Sequence, residues 1–119
     1  MYKLPKDFDG SFFLGRTLEC VLFNENTVDF LFDEHVGIGV ESSLQHQIAL
    51  EDEQSEVQAV PLSQSRLMQL LGRCVTGVKA GDDGTLVLSF DNGHVLRIFD
   101  DQPHYESYSI RHGDKEIFV

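Results

Sequence analysis

Apolar and polar residues alternate in two separate stretches of the chain. Val28, Phe30 and Phe32 are interleaved with Asp29 and Leu31, and Leu86, Leu88 and Phe90 with Val87 and Ser89. A period of two with one apolar face marks a half-buried strand. Each run follows another strand-like segment, residues 17–23 or 74–80. The intervening turns are Asn24-Glu25-Asn26 and Gly81-Asp82-Asp83-Gly84. A second turn comes next, Asp33-Glu34-His35 or Asp91-Asn92-Gly93. A third strand then carries Val36, Ile38 and Val40, or Leu96 and Ile98. Asn, Asp and Gly supply the positive φ that hairpin turns require. Two antiparallel meanders of three to four strands are predicted.

The two meanders read as copies of one unit. Leu14-Gly15-Arg16 recurs as Leu71-Gly72-Arg73, and Thr27-Val28 as Thr85-Leu86. Phe30 then aligns with Leu88, Phe32-Asp33 with Phe90-Asp91, and Ile38 and Val40 with Leu96 and Ile98. Carried further, the same offset pairs His46 with His104 and Leu50 with Tyr108. After the polar breaks Ser42-Ser43 and 100–103, fourth segments are expected at 47–50 and 105–110, and a last strand at 116–119. One helix is expected over 63–71. Ser63 would cap it, Leu67, Leu70 and Leu71 would share a face, and Gly72 would end it. A single meander is marginal alone, whereas two packed together bury both apolar faces. The expected fold is mainly β (α+β) with one short helix. It is a sandwich or partly open barrel in one domain, 1–119, with a pseudo-two-fold axis. Repeat one covers about 14–50, an acidic loop and helix 51–71, and repeat two 71–119.

Composition narrows the function classes. The 119 residues carry 9 − 20 = −11 charges, with pI near 4.6. Nucleic-acid binding depends on Lys and Arg neutralising phosphates, and there is no basic cluster, so neither nucleic acid nor an anionic membrane is an expected partner. No apolar run approaches the length of a membrane span. The first residues show no signal-like apolar stretch, which reads as a cytoplasmic chain. Cys20 and Cys74 are too few for a disulfide framework and read as small strand residues.

Several polar groups have side chains capable of chemistry. Asp100, His104 and Glu106 have the atom types of a divalent-metal site, with His46 as a further ligand if the repeat brings it to His104. Asp-Asp-x-Pro is equally a way to end a strand in a turn, and no metal or cofactor is expected. The Gly81–Gly84 turn lacks the spaced carboxylates of a calcium loop. No nucleophile elbow or phosphate-binding loop is present, so no catalytic residue is assigned. Arg16 and Arg73 are each expected to close over a strand end and pair with an Asp of their own copy. Glu51, Asp52, Glu53 and Glu56 form the most acidic stretch, and Tyr105 or Tyr108 is expected to be an exposed aromatic. Together these six are the candidate partner-binding residues.

Gly84-Thr85-Leu86-Val87-Leu88-Ser89-Phe90-Asp91-Asn92-Gly93, then Asp100-Asp101 and Tyr105-Glu106-Ser107-Tyr108, resembles a bacterial family of small uncharacterised proteins. The likeness is strong in the second half and weak in the first. It implies no established activity. Small acidic β proteins of this sort are similar in kind to immunity proteins, which neutralise a toxin from the same cell. The expectation is a non-enzymatic module, an inhibitor or immunity protein for a basic partner. The alternatives are a structural or homo-oligomeric accessory subunit, and a small-molecule or metal-binding domain.

Overall fold

The computed structural model describes residues 3–48, 56–62 and 64–119. Ten strands run in chain order: β1 Leu18–Phe23, β2 Val28–Phe32, β3 Val36–Val40, β4 Ser43–Gln47, β5 Val57–Ala59, β6 Val75–Ala80, β7 Leu86–Phe90, β8 Val95–Phe99, β9 Tyr108–His112 and β10 Lys115–Phe118. They form two antiparallel five-stranded sheets, β1-β2-β3-β9-β10 and β5-β4-β8-β7-β6. The sheets pack as an open sandwich rather than a closed barrel.

Both meanders form as the alternation predicts. In each, the first strand pairs with the second across a one-residue register shift, Leu18/Cys20 in β1 and Val75/Gly77 in β6. Phe30, Phe32, Leu88 and Phe90 are all buried. Val28 faces Val40 as Leu86 faces Ile98, which keeps the repeat in register through its third strand. The core is the set of inward residues of both sheets, closed by Phe13, Leu67 and Leu70 from the connecting segments.

The copies do not each build one sheet. β9 and β10 of the second copy extend the first meander, and β4 and β5 of the first copy extend the second. This exchange corrects the alignment of the fourth segment. Val40 faces Tyr108 as Ile98 faces Leu44, so Leu44, not Leu50, is the counterpart of Tyr108. By the same register His46 corresponds to Ile110, not to His104. The fourth strands begin at Ser43 and Tyr108, and Leu50 lies outside the described residues. The polar break is therefore at Glu41-Ser42, where the chain passes from one sheet to the other, and Ser43 already opens β4. Both hydroxyls are satisfied, Ser42 Oγ donating to the Phe99 carbonyl at 2.6 Å and Ser43 Oγ to the Asp101 carboxylate.

A pseudo-two-fold axis passes between Thr17 and Cys74. These equivalent residues form an isolated antiparallel bridge, with Thr17 Oγ1 and Cys74 Sγ 3.4 Å apart. Around them the backbone bonds come in related pairs. Gly15 N–H donates to Val75 O and Gly72 N–H to Leu18 O, each at 2.8 Å. Both glycines have φ near +80°, a region costly to side chains with a Cβ, which explains why Leu-Gly-Arg recurs. Arg16 and Arg73 each reach an Asp of their own copy, Asp33 and Asp91, at 4.0 Å.

The expected helix over 63–71 is only a 3-10 turn, Leu67–Leu70. Leu71 is already extended and is 43% exposed. Ser65, rather than the predicted Ser63, accepts the Leu67 N–H, at 2.9 Å. Ser63 lies outside the described residues. The turn is short because Leu-Gly-Arg must extend to join the axis. The first copy has the equivalent 3-10 turn at Ser11–Phe13, preceded by Gly10.

Candidate protein interface on the first sheet

The outward positions of the first sheet follow from its register. β1 contributes Cys20 and Leu22, β2 Asp29 and Leu31, β3 Gly37 and Gly39, and β9 Ser109 and Arg111. Two glycines on one face of β3 leave a trough. About 270 Å³ of space lies between Leu22 and Leu31 on one side and Arg111 on the other. A Cβ at Gly39 would meet Asp29 Oδ1 at 2.8 Å, so glycine there lets the Asp29 carboxylate lie over the strand. Asp29 also accepts hydrogen bonds from Asn24 Nδ2 and Thr27 Oγ1, at 3.1 and 3.2 Å.

The second sheet fills the equivalent place. Val95 and Arg97 stand where Gly37 and Gly39 stand, and Arg97 Nη1 donates to Gln47 Oε1 at 2.8 Å. The outer strands differ as well. β1 exposes Leu22 and Phe23, at 45% and 55%, whereas β6 carries Lys79 and Ala80 at those two positions. Lysine on an edge strand is a usual guard against unwanted pairing. β1 has no such guard.

Charge is concentrated in one interval of the chain, which runs through β1–β3 of the first sheet and β4–β5 of the second. Residues 17–65 hold ten carboxylates and no Lys or Arg. The rest of the chain holds ten carboxylates and nine cations, so −10 of the −11 net charge belongs to that stretch. Glu19, Glu25, Asp29, Asp33, Glu34 and Glu41 surround β1–β3. Crowding is felt at Glu41: partial burial pushes its carboxyl above the usual range, and Glu106 and Asp29 add like-charge repulsion.

The residues expected to bind a partner do not form one patch. Tyr108 is a correction: it is fully buried, and its hydroxyl donates to the Gly84 carbonyl at 2.6 Å. Burial, with Asp100 and Asp83 behind it, raises its phenol far above the ordinary value. Tyr105 is 51% exposed, in the connection between β8 and β9. Glu51, Asp52 and Glu53 lie outside the described residues. Glu56 is exposed and stands before β5, beside a cavity that it lines with His46 and Arg66. Leu22 and Phe23 are not among the sequence-predicted site residues, and of Gly37 and Gly39, strand glycines of the kind that mark close packing, Gly39 lies under the Asp29 carboxylate. The signal was present as the long interval without a cation and as Leu22-Phe23 opposite Lys79-Ala80.

The suggested ligand set is also scattered. His46 Nε2 lies 3.0 Å from His94 Nδ1, not beside His104. Asp100 accepts from Ser107 Oγ at 2.8 Å and from the Lys3 N–H at 3.1 Å. Among the described residues no three His, Cys, Asp or Glu side chains are grouped to hold a metal ion. The His46–His94 pair occupies the positions held in the first sheet by Ile110 and Val36. Burial, reinforced by Arg73, pushes the His94 imidazole below its ordinary value.

An open two-sheet sandwich built from a duplicated, strand-exchanging unit defines the class. The chain belongs to the family of unknown function DUF6188, whose pattern matches residues 12–119. Comparison with curated proteins and with solved structures gives no significant match. Among the described residues no helix is long and apolar enough to cross a membrane.

Proposed function

We propose that this protein is a non-enzymatic binding module for a basic protein, docking through the β1 side of the first sheet. The observation that carries the reading is the coincidence of two asymmetries between otherwise matched copies. Repeat one, residues 14–50, holds six carboxylates against one cation where repeat two holds eight against five, and its outer strand exposes Leu22 and Phe23. Exposed apolar anchors ringed by like charges suit a partner of opposite sign. The charges speed encounter, and the apolar contacts hold the complex. An inhibitor or immunity protein in a bacterial cell, neutralising a basic toxin, is the form of this function that size and acidity favour.

The test is kinetic. A partner recovered from the native host is measured for association across a salt series. Neutralising Glu19, Glu25 and Asp29 together should slow association and flatten its salt dependence. Tyr105→Ala should hasten dissociation if that aromatic also touches the partner. Equal association of wild type and the neutralised variant at every salt concentration would reduce the acidity to a means of staying soluble.

A further inference from the structure

We infer that β1 accepts an extended, Lys- or Arg-bearing segment of the partner as a sixth strand of the first sheet. The inference rests on the basic-partner reading and specifies its geometry. Asn24 N–H donates to Thr27 O at 2.8 Å, which makes Asn24–Thr27 a hydrogen-bonded pair of the β1–β2 ladder. Such pairs alternate in an antiparallel ladder. Leu22–Asp29 and Cys20–Leu31 are therefore bonded as well, and Val21 and Phe23 turn their N–H and C=O groups away from β2. No strand lies on that side among the described residues. A row of outward backbone groups is the template used in strand addition.

The side chains fit the same occupant. Val21 and Phe23 sit on the inner face, beside the open margin of the sandwich, and Val21 packs on the core. Alternate residues of an added strand would extend that apolar face. The intervening residues would stand beside Leu22 on the outer face, flanked by Glu19, Glu25 and Asp29, with Arg111 across the trough. Lys and Arg suit those positions, since their aliphatic stems cover Leu22 while their charges meet the carboxylates. A second copy of this chain is a poor occupant, because it would bring an equally acidic edge. β6 lacks the same invitation, having Lys79 and Ala80 at the corresponding positions.

The experiment uses the full chain and two synthetic octapeptides, one alternating valine with lysine and one alternating valine with glutamate. Amide hydrogen exchange is followed residue by residue. The lysine peptide should protect the Val21 and Phe23 amides and leave Val78 and Ala80 of β6 unchanged, with affinity falling as salt rises. Leu22→Lys with Phe23→Ala, which gives β1 the residues of β6, should weaken it about tenfold or more. Absence of protection at Val21 and Phe23 up to saturating peptide overturns strand addition. If the peptide nonetheless binds with salt dependence, the basic-partner reading stands without it. Equal binding of the glutamate peptide overturns the basic-partner reading itself. Protection that grows with protein concentration and no peptide assigns the edge to a second copy and overturns the inference. The readout on the wild-type chain needs no variant to fold.

Discussion

The two copies of the repeat share a backbone plan and differ in what they show to solvent. Inside, Phe30 answers Leu88 and Phe32 answers Phe90. Outside, Leu22 and Phe23 answer Lys79 and Ala80, and Gly37 and Gly39 answer Val95 and Arg97. Folding constrains the inward positions of both copies alike, because each sheet must bury one apolar face. Outward positions are free of that demand, so a difference there reports something other than stability. The first copy, whose one cation is Arg16, is the one whose edge strand carries no lysine.

Substitutions at matched positions sharpen or break this picture, beginning with the core. Phe30→Ala and Leu88→Ala should each cost several kcal/mol, about 3–5 and 2–5 respectively. Each should shift a single unfolding transition seen by far- and near-ultraviolet circular dichroism. Two separated transitions in either variant would mean that the copies fold as independent units, against the strand exchange.

Tyr108→Phe comes next. It removes the donor to the Gly84 carbonyl and leaves a buried acceptor unpaired, a loss of about 1–3 kcal/mol. Its counterpart Leu44 makes no such bond, so Leu44→Met should cost less, under about 1.5 kcal/mol. Chemical denaturation midpoints of the two variants distinguish them.

The third concerns the histidines. His94 holds its imidazole below the ordinary value because the site is buried and Arg73 is near. The unfolded chain therefore binds a proton more readily than the folded one. Stability is complete above the unfolded value of about 6.5 and declines as pH falls from there toward the depressed folded value. His94→Val, which copies Val36, should remove that part of the decline. An unaltered stability–pH curve between wild type and variant would take His94 out of the titration.

The smallest effect is expected at the turn between β2 and β3. Glu34 and His35 both have positive φ, 57° and 59°, whereas the matching turn of the second copy uses Gly93 there. His35→Gly should raise stability by about 1 kcal/mol, since a Cβ is strained in that region. A fall in melting temperature would show that the His35 side chain stabilises the fold by more than its backbone conformation costs.

The meanders were legible because period-two alternation and turn residues are local signals. Thr27-Val28 and Thr85-Leu86, with the turns beside them, place the second strands before any contact is known. The exchange of β4–β5 with β9–β10 was not legible, since every residue involved keeps the same alternation whichever sheet it joins. The helix over 63–71 failed for a related reason. Leu67, Leu70 and Leu71 have helical spacing, but the backbone of Leu-Gly-Arg is claimed by the bridge at the axis. Tyr108 misled because its neighbours Glu106 and Ser107 are polar, while the hydroxyl that makes tyrosine suited to a surface is satisfied internally by Gly84. The edge of β1 was in plain view as Leu22-Phe23. It became meaningful only beside Lys79-Ala80, and that pairing needed the register.

The strand exchange also sets an order on the ribosome. All five strands of the second sheet have been synthesised once Phe99 is added. The first sheet begins with β1 but waits for β9 and β10, which follow β8 in the chain. Until residues 108–118 emerge, β3 has no partner on its far side, and the apolar inner face of β1–β3 is left without its last two strands. The nascent chain thus holds an unfinished sheet until β9 and β10 are made. Non-local strand pairing of this kind folds slowly and leaves edges open to wrong partners. Glu19, Glu25, Asp29 and Glu41, carried by that unfinished half, would repel neighbouring nascent copies of the same chain during the wait.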